Sequence, residues 1–346
     1  MKNLKTSEFF YKAKKFFAAG LTVTAIMNAA CTYIFMKAFG RKKEELSSTA
    51  PCKKNTKASG KKSKTAQKDQ EKYAAFINQK KEWLSQRSCE EIHLKSYDGL
   101  CLYGRLYVPG QAALIAPSPT VILCIHGYHS DGPGDFAAFA PFYTEQGYIF
   151  CLVDDRAHGK SEGKYIGFGY HDRFDCLAWT NYLSKRFGPD CQIYLHGISM
   201  GAATVLSCCD SKHLPHQVRG IISDCAYSSG WDQVAHVMQF KMHLPAFPML
   251  PIYNKVCKAL GGYSLKDISP ISHVRQSKVP ILFIHGDADH FVPTTMVYKL
   301  YHASKCQKRL LTVHGAAHAL SYLVDPKSYE RAFKDFIVQT SLFTVP

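Results

Sequence analysis

An α/β fold with a mostly parallel central sheet, helices on both faces, is expected from this sequence. Two observations predict it. Short, near-continuous apolar runs alternate with helix-length stretches across residues 120–339, the pattern of strands buried on both sides. The C-terminal ends of those runs also collect the residues able to do chemistry, on the rim where open α/β sheets place their sites.

The chain starts outside that pattern. Of 346 residues, 43 are Lys or Arg and 27 Asp or Glu, a formal net charge of +16. The excess is local: residues 1–72 hold 17 basic against 5 acidic residues, and the remainder holds 26 against 22. Residues 1–15 form a basic tail. Residues 16–36, FFAAGLTVTAIMNAACTYIFM, carry no charge, with Lys12, Lys14 and Lys15 before them and Lys37, Arg41, Lys42 and Lys43 after. That length spans a bilayer core, so a single-pass transmembrane or signal-anchor helix is expected there. A cleaved signal peptide is the main rival, and Cys31 after Ala29-Ala30 faintly matches a lipidation site. Basic residues flank both ends, which leaves the orientation open. Residues 37–72 are rich in Lys, Ser and Thr and are expected to be disordered. Their lysines either lie on anionic headgroups or form a solvated spacer.

The globular part is expected over 73–346. "CEEIHLKSYDGLCLYGRLYVPG", from Cys89, reads as two strands joined at the Asp98-Gly99 turn. Buried strands are then expected at 120–126, 149–154, 192–197, 218–224, 280–285 and 309–314, and helices at 135–146, 170–187, 200–209, 293–304 and 326–339. Residues 228–278 break the rhythm. They are too long and too apolar for a connector and read as a small cap, with Phe240, Met242, Leu244, Phe247, Met249, Leu250 and Tyr253 as its apolar side chains. The 13 cysteines are odd in number and several lie in strand runs, which argues for reduced, buried thiols. The Cys208-Cys209 pair reads as packing on a helix.

Residues 195–203 read LHGISMGAA. A serine between two glycines arises by chance in roughly one chain of this length in ten, and serine is also an ordinary helix cap. The context distinguishes this one. An apolar strand leads in, small residues lead out on a helix, and Gly197 and Gly201 flank the serine as a nucleophile elbow requires. A nucleophile also needs a base and an orienting acid. PILFIHG ends in DADHFVP, and RLLTVHG ends in AAHALSY, which places Asp289 and His318 on the same rim as Ser199. Two backbone N–H groups are expected to hold the oxyanion: Met200, after the nucleophile, and Tyr128, in the loop CIHGYHSDG after the first parallel strand.

Five motifs in this order resemble the α/β-hydrolases, in the serine aminopeptidase-like branch that also contains esterases and monoacylglycerol lipases. They are HGYHSDG, DDRAHGKSEG, GISMGAA, HGDADHFVP and GAAHALSY, and the resemblance covers about 89–340. It implies the α/β-hydrolase fold and a working triad, and its pattern places the acid at Asp289 rather than Asp287. It also implies a structural role for His158. The lipase-type Gly-Gly-Gly oxyanion loop is absent, since Tyr128 and His129 follow Gly127, which separates the chain from the hormone-sensitive-lipase type.

Other candidates are weaker. Asp224, ending a strand, is a substitute acid; His126 and His196 are packing or hydrogen-bonding residues. GDADH has no second acidic cluster to complete a metal site, and no cofactor is expected. The expected function is a membrane-anchored serine hydrolase acting on carboxylic esters, including lipid-derived acyl esters. A peptidase of aminopeptidase type and a non-catalytic membrane scaffold are the alternatives. Nucleic acid is not an expected partner, because the basicity lies in the N-terminal segment; binding by residues 37–72 would show a steep salt dependence.

Overall fold

The computed structural model describes residues 22, 24–41 and 64–341, with 64–70 described by backbone alone. Eight strands form one sheet: β1 (Glu90–Lys95), β2 (Cys101–Tyr107), β3 (Thr120–Ile125), β4 (Ile149–Asp154), β5 (Gln192–Ile198), β6 (Val218–Asp224), β7 (Ile281–Gly286) and β8 (Lys308–Val313). Their order is β1-β2-β4-β3-β5-β6-β7-β8. The β1–β2 and β2–β4 pairs are antiparallel and the rest are parallel. Between β1 and β2 the chain turns at Gly99, whose φ of 89° favours glycine. The central strands are built of β-branched, aromatic and Cys residues, and β4 and β7 are buried at every position.

The helices are α1 (24–39), α2 (Lys64–Ser85), α3 (Gln111–Ile115), α4 (Gly132–Phe136), α5 (Ala140–Glu145), α6 (Asp172–Phe187), α7 (Met200–Leu206), α8 (Gly230–Phe240), α9 (Ala246–Val256), α10 (Pro270–Val274), α11 (Thr295–Ala303), α12 (Ser321–Val324) and α13 (Pro326–Thr340). A π-helical turn, Cys257–Gly261, extends α9. Several starts follow from capping chemistry. The Asp325 carboxylate accepts from Ser328 N–H at the head of α13, and Ser229 Oγ accepts from Asp232 N–H at the head of α8.

Two apolar layers sandwich the sheet. Trp179, Leu183, Leu206 and Leu300 pack on one face. Phe136, Tyr143, Phe333 and Phe336 pack on the other. A third cluster sits over the C-terminal rim, where Tyr253, Tyr263 and Met238 of the β6–β7 insertion meet Cys31, Phe35 and Phe39 of α1.

Several expectations are corrected. The helix expected at 135–146 is two short helices, because Pro141 lacks an N–H and suits the first turn of a new helix. Of the segment expected to be disordered at 37–72, residues 37–39 finish α1, Gly40 bridges to Tyr165, and residues 64–72 belong to α2; residues 42–63 lie outside the described residues. The membrane helix expected at 16–36 is not supported, and its residues 16–21 and 23 lie outside the described residues. Among the described residues no helix is long and apolar enough to cross a membrane. In the described part of that segment and just after it, Cys31, Phe35 and Phe39, spaced four apart, are buried against the globular domain. The lipidation candidate Cys31 is fully buried. The basic tail, 1–15, lies outside the described residues.

Candidate active site

β5 delivers Ser199 to the rim. Its register against β6 pairs Ile198 with Asp224, and Ser199 N–H donates to the Asp224 carbonyl at 2.8 Å. The chain then reverses into α7, with Ser199 at φ 56° and ψ −112°, a region that L-residues rarely occupy. Both flanking glycines are required by close approach. A Cβ on Gly197 would collide with the Gly201 carbonyl, and one on Gly201 with the Ile125 carbonyl. The serine makes no side-chain capping bond to α7, so its hydroxyl is left for another partner.

That partner is His318. Ser199 Oγ lies 2.8 Å from His318 Nε2, and His318 Nδ1 lies 2.7 Å from Asp289 Oδ2. If Nδ1 carries the proton toward the carboxylate, Nε2 is left to accept from the serine hydroxyl. Asp289 sits after β7 and is buried, and its Oδ1 accepts from the N–H groups of Phe291 and Val292 at 2.8 and 2.9 Å. Burial pushes this carboxyl toward protonation, but hydrogen bonds from His285 and His318 outweigh it and hold its pKa well below the usual carboxylate range. Asp289 is therefore ionised beside His318. The Phe291 ring packs 4.9 Å from the His318 ring, centroid to centroid.

The other sequence candidates fall elsewhere. Asp287 is exposed and bonds His314 Nδ1 at 2.8 Å and Gly315 N–H at 2.7 Å, not His318. Asp224 is buried; its Oδ1 accepts from Ser321 Oγ at 3.1 Å, and burial pushes its pKa up to about 6. His158 is held away from the serine: Nδ1 bonds the Arg156 carbonyl at 3.0 Å and Nε2 accepts from His129 N–H at 3.2 Å. Burial, with the neighbouring His126, keeps it neutral. His126 Nε2 accepts from Asp155 N–H at 2.9 Å, and His196 lies between the hydroxyls of Tyr143 and Tyr329 at 2.6 and 2.9 Å.

The two expected oxyanion donors flank the serine. Met200 opens α7, so its N–H has no intrahelical acceptor. In the loop after β3, Gly127 N–H donates to Asp135 and His129 N–H to His158. Among the described residues, the N–H groups of Tyr128 and Met200 have no hydrogen-bond acceptor. Gly127 brings this loop close to the serine, since a Cβ there would lie 3.3 Å from Ser199 Cβ.

An apolar cavity of about 110 Å³ opens beside Ser199. From the insertion between β6 and β7 come Val234, Val237, Met238, Met242 and Tyr253. Phe240 and Phe247, grouped with them on sequence, are instead exposed. Three features were missed in the sequence. Ile34, Ala38 and Phe39 of α1 line the cavity. His285, within β7, lies 3.2 Å from Asp289 Oδ2. Cys225 is buried, with its sulfur, an Asp289 oxygen and a His318 nitrogen all within 4.8 Å of one another. The four-residue spacing of Cys31, Phe35 and Phe39 was the available signal for α1; Cys225 had none.

Residues 116–276 match the family described as serine aminopeptidase, S33. The chain is 27% identical over 225 residues to the uncharacterized protein YqkD of Bacillus subtilis (strain 168), covering 64% of this chain and 73% of that protein. The Pyrococcus furiosus esterase Pf2001 superposes with a TM-score of 0.59 at 21% identity, over 74% of this chain and 93% of that one. The Pyrococcus horikoshii acylaminoacyl peptidase gives a TM-score of 0.55 at 19% identity, over 74% of this chain and 43% of that one. With the mostly parallel eight-stranded sheet, these likenesses show that the chain has the α/β-hydrolase fold.

Proposed function

We propose that the protein is a serine hydrolase that cleaves carboxylic esters, with Ser199 as nucleophile, His318 as general base and acid, and Asp289 as the orienting acid. The observation that carries this reading is the unbroken hydrogen-bond path from Ser199 Oγ through His318 to Asp289, beside an apolar cavity. Ser199 Oγ bonds to the acyl carbon while its proton passes to His318 Nε2. The carbonyl oxygen takes up negative charge facing the N–H groups of Tyr128 and Met200. Collapse breaks the bond to the leaving oxygen, which receives the proton from His318 and departs as the alcohol. Water then attacks the acyl-enzyme, gives a proton to His318, and releases the acid as that proton returns to Ser199. Asp289 stays ionised throughout and stabilises the charged imidazole.

The cavity favours an ester with an apolar acyl group over a peptide. No Asp or Glu among the described residues lines it, so nothing in the cavity pairs with the free amine of an aminopeptidase substrate. The scaffold alternative predicts a degenerate set of residues, whereas Ser199, His318 and Asp289 are all within hydrogen-bond reach.

The full chain is assayed on p-nitrophenyl esters and on aminoacyl p-nitroanilides, with Ser199→Ala as control. Ester turnover that Ser199→Ala abolishes, exceeding anilide turnover, is the expected result. Preferred turnover of the anilides would overturn the ester assignment. Turnover of neither would overturn the hydrolase reading.

A further inference from the structure

The second half of α1 and the residues after it run across the candidate active site. In α1, Phe35 is fully buried and packs on Tyr165 and Tyr253, with ring centroids 5.2 and 6.3 Å apart. At the last residue of the helix, the Phe39 carbonyl accepts from Ile166 N–H at 2.8 Å, and just beyond it Arg41 N–H donates to the Lys164 carbonyl at 2.9 Å. The Arg41 guanidinium donates to the carbonyls of Gly159 and Ser161. These bonds fix one face of α1, and from that face Ile34, Ala38 and Phe39 line the cavity beside Ser199. The same segment also holds the loop after β3. The Ala38 carbonyl, near the end of α1, accepts from the Tyr128 hydroxyl and from His129 Nε2, the latter at 3.0 Å.

We propose that residues 31–41 are the specificity-determining wall of the active site, closing the acyl cavity so that it accepts short acyl groups and steadying the loop that carries the Tyr128 N–H. The proposal rests on the hydrolase reading above. Size supports it: the apolar space beside Ser199 is only about 110 Å³, and Ile34, Ala38 and Phe39 form one side of it. Phe39 is the largest side chain that α1 places there, and its ring packs 5.0 Å from Phe168 and 6.1 Å from Tyr128. Removing it opens the wall. Enlarging Ala38 narrows the space further. Opposite changes in one assay separate selection by size from general loosening of the fold.

The test uses the full chain and p-nitrophenyl esters from acetate to decanoate, with kcat and KM measured separately and folding checked by thermal melting. The unsubstituted protein is expected to prefer acetate or butyrate to octanoate. Phe39→Ala and Ile34→Ala each shift the octanoate-to-butyrate ratio of kcat/KM upward, by about tenfold or more for the first. Ala38→Val shifts preference from butyrate toward acetate. Tyr33→Ala, on the exposed face of α1, leaves the ratio unchanged. Unchanged ratios in folded Phe39→Ala and Ile34→Ala proteins that still hydrolyse esters through Ser199 would overturn the wall while leaving the hydrolase reading intact. Absence of Ser199-dependent turnover in the full chain would overturn both.

Discussion

Ser199 is held in a backbone conformation that only its neighbours make tolerable. Gly197 and Gly201 sit where a Cβ would strike backbone carbonyls, and backbone cannot step aside as a flexible side chain can. Gly201→Ala is therefore expected to lower stability by about 2–3 kcal/mol, read as a lower urea midpoint, and to displace Ser199. Asp289 presents the complementary case. Its ionised carboxylate accepts from two backbone N–H groups as well as from His318, so Asp289→Asn keeps much of that frame. It loses the charge that stabilises the imidazolium and the acceptor that sets the His318 tautomer. The expected loss is roughly 10⁴-fold in kcat, with the protein still folded but melting at a lower temperature. A loss of under tenfold would contradict the role assigned to Asp289.

At the scale of the element, α13 locks one face of the sheet. Phe333 is fully buried against Phe142, Tyr143 and His196. Phe333→Ala is expected to cost about 3–5 kcal/mol in urea unfolding, a small residual effect being the contrary result. Elements such as this were legible in the sequence. β3 to β8 are short apolar runs bounded by polar turns, and α13 begins where Asp325-Pro326 marks a start. That Ser199, Asp289 and His318 share one rim was legible for the same reason: each lies just beyond a strand whose end could be read. What could not be read was partnership over long separations. The apolar stretch around α1 satisfies a length criterion for membranes, and nothing local in it reveals that Phe35 meets Tyr165 or that Ala38 meets Tyr128. Cys225 and His285 likewise acquire their place beside Asp289 only when β6 and β7 pair.

Across the whole molecule, the buried acids couple stability to pH. Asp224 is buried at the rim with a pKa pushed up to about 6, above the ~3.9 of an unfolded chain. Between those values the folded state binds the proton and the unfolded state does not, so this group's contribution is present at low pH and is lost as pH rises through about 6. The loss is roughly 3 kcal/mol. Asp224→Asn is expected to flatten the fall in stability between pH 4 and 7 in denaturant titrations, and an unaltered pH profile would contradict it. All described cysteines are free, so adding a reductant is expected to leave the melting temperature unchanged.

The central claim is that Ser199, strained on its elbow and bonded to His318, is an activated nucleophile. The most direct test treats the full chain with a fluorophosphonate and maps the adduct by mass spectrometry, alongside Ser199→Ala and His318→Ala. The account predicts stoichiometric labelling at Ser199, lost in the first variant and slowed by orders of magnitude in the second. A folded protein that stays unlabelled, or that labels at the same rate without His318, would contradict it.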